Sequence, residues 1–148
     1  MNLENKIMDA IKVAMKNKDK VALESLRAIK SQLLLLKTDG KTDQIAEEQE
    51  IALLQRLVKQ RKEAYEQFKA NNREELAQNE LAQSKVIEQF LPQQLTTDEL
   101  ISELKKIIEE TGAKDIKDLG KVMGIATKKL QGKAEGKVIS ENVKKLLS

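Results

Sequence analysis

The chain has 148 residues and a formal net charge of +3, and about a third of its residues are charged, with both signs intermixed. It contains no cysteine and no histidine, which excludes disulfides, thiolate nucleophiles, zinc sites of the usual kind and histidine acid–base chemistry together. Two Phe, one Tyr and no Trp leave an aliphatic core. Beta-branched and aromatic residues are too few for a sheet, so an all-helical fold is expected, as one domain or two small subdomains.

The first residues, Met1 to Lys6, lead into an amphipathic pattern and not a signal peptide. The longest apolar run, Leu33 to Leu36, is far too short for a membrane span, so no membrane partner is expected. The lack of cysteine fits a reducing cytoplasm. Leu3, Ile7, Ile11, Ala14 and Met15 repeat at helical spacing and predict a first helix over 2–16. Asn17-Lys18-Asp19 reads as a turn, with Asp19 able to cap a second helix. That helix carries Val21, Leu26, Ile29, Leu33 and Leu36 and should stop near Asp39-Gly40.

Asp43 can cap a long third helix running to about Ala70, with Ile51, Leu54, Leu57, Val58, Ala64 or Tyr65, and Phe68 as its apolar stripe. Arg56, Lys59, Arg61 and Lys62 cluster on it, but Glu63 and Glu66 follow, which reads as a solvated face laced by i,i+4 pairs. After the Asn71-Asn72 turn, a fourth helix is expected over 73–90, with Leu76, Leu81, Val86, Ile87 and Phe90. The single proline, Pro92, ends that register and marks the one plausible boundary, giving subdomains 1–94 and 95–148.

Thr96-Thr97-Asp98-Glu99 has the form of a capping box, with the Thr96 hydroxyl on the Glu99 amide and the Glu99 carboxylate back on Thr96. Leu100, Ile101, Leu104, Ile107 and Ile108 form a clean apolar face closed by Gly112. Asp115 or Asp118 caps the next helix, with Ile116, Leu119, Val122, Met123, Ala126 and Leu130 inside. A last helix over 136–147 is expected to bury Val138, Ile139, Val143, Leu146 and Leu147.

The stretch from Leu119 to Val138 holds four of the six glycines: Gly120, Gly124, Gly132 and Gly136. Lysine follows three of them directly, at Lys121, Lys133 and Lys137, and Lys128 and Lys129 lie between. Glycine costs about 1 kcal/mol against alanine inside a helix, so glycines four apart in a helical pattern need a reason. Two reasons stand side by side. Gly120 and Gly124 can line a close helix crossing, with Gly132 ending that helix and Gly136 opening the next. Alternatively, the glycines let backbone approach a phosphate while the neighbouring lysines supply charge. From Gly120 onward seven lysines face two acids, whereas residues 38–92 hold eight basic and eleven acidic residues. A basic end on a near-neutral body can concentrate a polyanion; a solvated lysine face on short helices gives the same count.

Gly120-Lys121-Val122-Met123-Gly124 followed by Gly132-Lys133-Ala134-Glu135-Gly136 resembles the signature of the GatB/YqeY family. Leu26-Arg27, Lys59-Gln60-Arg61-Lys62, Arg73 with Leu76 and Glu80, and Leu91-Pro92-Gln93-Gln94-Leu95 with Glu99 extend the resemblance over essentially the whole chain. Two departures are visible: Glu135 stands where the family usually has aspartate, and Lys128 stands near a common proline position. The family's tail domain closes the GatB subunit of the tRNA-dependent amidotransferase and some glutaminyl-tRNA synthetases, and occurs as small free-standing proteins. The resemblance implies contact with the body of tRNA near its elbow. Carried over residue by residue, that contact falls first on Lys121, Lys133 and Lys137, with Gly120, Gly124, Gly132 and Gly136 allowing approach and Lys128 and Lys129 beside them.

No active site emerges from the residues. Amide transfer from glutamine needs a cysteine or an activated serine, and none of the six serines has nucleophile-elbow glycines around it. Ser84-Lys85 lies within a predicted helix and reads as surface. Adjacent acids such as Glu47-Glu48, Glu74-Glu75 and Glu109-Glu110 do not converge on one point of a helix. The glycine–lysine repeats lack Walker spacing. No metal or cofactor is called for, and a carbon–nitrogen ligase label would be inherited from other family domains. The scarcity of aromatics argues against a stacking platform for single-stranded RNA. Two functions are therefore carried forward. One is a tRNA-binding accessory protein; the other is an adaptor docking on an amidotransferase or aminoacyl-tRNA synthetase through the third and fourth helices.

Overall fold

A computed structural model describes residues 2–40 and 45–148. Among them are seven α-helices and no strand, which is the all-helical fold expected. The chain divides into two compact units, Met1–Leu91 and Pro92–Ser148, each with its own apolar cluster. The division falls three residues before the boundary drawn from the sequence, and the Gln94 side chain, on the second unit's side of it, bonds to the Gly132 carbonyl.

The first unit holds four helices. Helix α1, Leu3–Lys16, opens where the Asn2 side chain accepts the Asn5 amide at 2.8 Å. Helix α2, Lys20–Gly40, is capped by Asp19, whose Oδ1 accepts the Ala22 amide at 3.1 Å. Helix α3, Glu47–Ala70, spans about 36 Å at the standard rise. Asp43 lies outside the described residues; the N-cap position belongs to Ala46, whose amide is accepted by the Gln49 side chain. Helix α4, Glu74–Glu88, stops two residues short of Phe90. The amides of Phe90 and Leu91 reach back only three residues, to Ile87 and Glu88, as the chain tightens ahead of Pro92.

Leu3, Ile7, Leu26, Ile29, Leu33, Leu53, Leu54, Leu57, Val58 and Ile87 form the first core. Met15 and Leu76, which fit the helical period, are exposed. Ser84 is not surface: it is 1 % exposed, and its hydroxyl donates to the Leu81 carbonyl at 2.7 Å. Ser25 on α2 is buried in the same way, donating to the Val21 carbonyl at 2.9 Å. A helical serine that bonds its own preceding turn carries no unpaired hydroxyl into the core.

Three members of the basic cluster on α3 reach neighbouring helices. Lys62 pairs with Glu88 at 3.2 Å, Arg61 donates to the Gln83 side chain at 3.1 Å, and Arg56 donates to Gln32 at 3.2 Å. Gln83 in turn donates to Glu24, so one polar chain crosses α3, α4 and α2.

The second unit holds helix α5, Thr97–Thr111, helix α6, Leu119–Lys129, and helix α7, Gly136–Leu147. Both halves of the expected capping box are made: the Thr96 hydroxyl accepts the Glu99 amide at 3.2 Å, and the Glu99 carboxylate accepts the Thr96 amide at 3.1 Å. Gly112 closes α5 in the left-handed region at φ 71°. Leu100, Leu104, Ile107, Val122, Ala126, Leu130, Ile139, Val143 and Leu147 make the second core. Two expectations fail here. Ile116 is 49 % exposed because residues 116–118 form a 3-10 turn ahead of α6, which breaks the register that would bury it. Val138 is 37 % exposed, since Ile139, Val143 and Leu147 fix the inward face of α7 one residue away.

Candidate nucleic-acid interface

Helix α6 sets the geometry. Val122, Ala126 and Leu130 recur every four residues and are buried, so the opposite face carries Gly120, Lys121, Gly124 and Lys128, all exposed. Lys121 and Lys128 are seven residues apart, nearly two full turns, which places them on one line about 10 Å along the helix. Asp115 caps the 3-10 turn by accepting the Lys117 amide at 2.9 Å. Asp118 occupies the N-cap position of α6 but turns its carboxylate back to the Lys114 amide at 2.9 Å.

The glycines do not line a helix crossing. A Cβ built on Gly120, Gly124 or Gly136 would meet nothing within 4 Å. Nothing in the fold therefore requires glycine for space at these three positions. Gly132 differs. Its φ of 77° lies where glycine is favoured, and it sits third in the four-residue turn closed by the Lys133 amide on the Leu130 carbonyl at 2.9 Å. The Gly132 carbonyl accepts from the Gln94 side chain, and the Lys133 carbonyl accepts the Leu95 amide at 3.0 Å. The link from α6 to α7 is thus pinned by the segment preceding α5. Gly136 is the first residue of α7, after Glu135 in extended conformation; the Glu135 side chain makes no cap bond, as its length suggests.

The five predicted lysines are all exposed but not equally available. Lys129 pairs with Glu110 at 3.1 Å, and Lys121 donates to the Thr111 carbonyl at 3.4 Å, so both reach toward the C-terminal end of α5. The side chains of Lys128, Lys133 and Lys137 make no ion pair with any described residue. Sequence reasoning passed over Lys144, seven residues after Lys137 and on the same edge of α7; the repeat of seven was the signal that could have found it. The second unit has no Phe, Tyr or Trp. Its exposed lysines and open glycines suit phosphate contacts, and it has no ring on which a base could stack.

On the first unit, Arg56, Arg61 and Lys62 are engaged with α2 and α4, which leaves Lys59 as the member of that cluster facing solvent alone. No helix among the described residues is long and apolar enough to cross a membrane.

Residues 4–147 match the family described as Yqey-like protein, which covers nearly the whole chain. Among curated proteins, none matches the chain.

Proposed function

The chain belongs to the Yqey-like family, and on that footing we propose that it is a non-catalytic, cytoplasmic, tRNA-binding accessory protein, related to the tail of the tRNA-dependent amidotransferase. One observation carries the reading: Gly120, Gly124 and Gly136 open onto free space beside exposed lysines. Glycine within or at the start of a helix sacrifices stability, and no group among the described residues comes close enough to gain from it here. A phosphate backbone drawn close by Lys121, Lys128, Lys133 and Lys137 gains directly. Such contacts fix position on a folded RNA without reading its sequence.

The test is recovery of the protein crosslinked from living cells. tRNA attached to peptides between Gly120 and Lys137 is the result expected. Recovery with a protein partner and no RNA would replace this reading with that of an adaptor docking on an amidotransferase or synthetase.

A further inference from the structure

Lys133 sits in the turn between α6 and α7, and hydrogen bonds hold its main chain on both sides. Its amide donates to the Leu130 carbonyl at 2.9 Å, and its carbonyl accepts the Leu95 amide at 3.0 Å. One residue earlier, the Gly132 carbonyl accepts from Nε2 of Gln94. The same nitrogen donates to the Pro92 carbonyl at 2.9 Å, so one amide group joins its own segment to a residue 38 positions away. Both partners accept only, and a primary amide has two hydrogens to give them. Leu95 and Ala134, flanking these bonds, are half-buried against the second core.

The outcome is a fixed backbone beneath a free charge. Gly132 is buried, whereas Lys133 is exposed and makes no ion pair with a described residue. A lysine on a held turn loses less freedom when its ammonium meets a ligand than one on a loose loop. Gln94 is itself exposed and neutral, so its replacement disturbs neither the core nor the charge of the surface. We infer that Gln94 is a positioning residue for the RNA contact: by holding the Gly132 carbonyl it fixes the turn from which Lys133 reaches a phosphate. The inference rests on the reading of this surface as an RNA interface, and it gives the stretch after Pro92 a role beyond that of a boundary.

The test is a double-mutant cycle on the full-length protein with a transcribed tRNA, read as affinity against salt. Lys133→Gln should lower the log–log slope by roughly 0.7 to 0.9, the share of one phosphate. Gln94→Ala removes both donated bonds and no charge, and should weaken binding by about threefold at low salt. In the Lys133→Gln background it should weaken binding no further, whereas combined with Lys121→Gln its effect should persist in full. Nuclear magnetic resonance of the free protein gives a reading independent of RNA. The Lys133 and Leu95 amides should exchange faster in Gln94→Ala, with those in the middle of α5 and α7 unchanged. Unaltered affinity in Gln94→Ala, while Lys133→Gln weakens binding, overturns the positioning role and leaves the RNA reading standing. An equal loss from Gln94→Ala with and without Lys133 overturns it too, as does unaltered exchange at Lys133 and Leu95. No effect of Lys133→Gln removes the turn from the RNA interface, and the positioning role falls with it.

Discussion

At the scale of single residues, Gly124 separates the needs of the fold from those of a ligand. Its backbone is helical and the space around it is empty, so Gly124→Ala should stabilise the protein by about 0.5–1 kcal/mol, read as a rise in unfolding midpoint. On the proposed reading the same methyl would stand between the helix and an approaching phosphate, so tRNA affinity should fall in the more stable variant. Stability rising with affinity unchanged would remove the glycine from the interface. Glu110 offers the converse case. Its pair with Lys129 is exposed on both sides, so Glu110→Gln should alter stability by less than about 0.5 kcal/mol. It also releases a lysine and removes a negative charge beside the proposed RNA surface, so tRNA should bind more tightly, by about twofold at low salt, measured by filter binding. The glycine–lysine pattern that marks this surface was legible in the chain, because both residue types are unusual at that density in a helix. Which lysines are engaged was not. Lys129 and Glu110 are nineteen residues apart, on different helices, and only the packing of α5 against α6 brings them together.

At the scale of elements, local signals carried well wherever the partners are near in sequence. Asp19, the Thr96–Glu99 box and Gly112 each act through groups within a few residues, and each does in the structure what the sequence implies. Burial was less legible. A 3-10 turn shifts the register at Ile116, and Ser84 enters the core because its own helix takes up the hydroxyl, neither of which a hydrophobic pattern records. The capping box also sets a pH dependence. Hydrogen bonds from the Thr96 amide, then from the Thr96 side chain, hold the Glu99 carboxyl below its ordinary value. A carboxyl depressed in the folded state contributes stability that is complete above its unfolded value and is lost as pH falls through the folded one. Wild type should therefore lose more of its thermal midpoint than Glu99→Gln between pH 6 and pH 3; parallel losses would contradict the assignment. In the second core, Leu104 is fully buried, and Leu104→Ala should cost about 2–5 kcal/mol in denaturant unfolding.

For the whole molecule, charge is divided between two units with separate cores. The near-neutral helices before Pro92 hold some of their charges across helices, through the ion pairs of Lys37 with Glu4 and Lys62 with Glu88 and the bond from Gln83 to Glu24. Beyond Gly120 the chain carries seven lysines and only two acids. On the proposed reading it is this stretch, and not the second unit as a whole with its eleven lysines and nine acids, that attracts a polyanion, and the affinity gained should come mainly from displaced counterions. The most direct test is the dependence of tRNA affinity on salt in wild type and in the triple variant Lys121→Gln, Lys133→Gln, Lys137→Gln. Each neutralised phosphate contributes roughly 0.7 to 0.9 to the log–log slope, so these lysines together account for about 2 to 3. The triple variant should stay fully helical, lose about that much slope, and weaken different tRNAs alike. An unchanged slope in the folded triple variant would contradict the account.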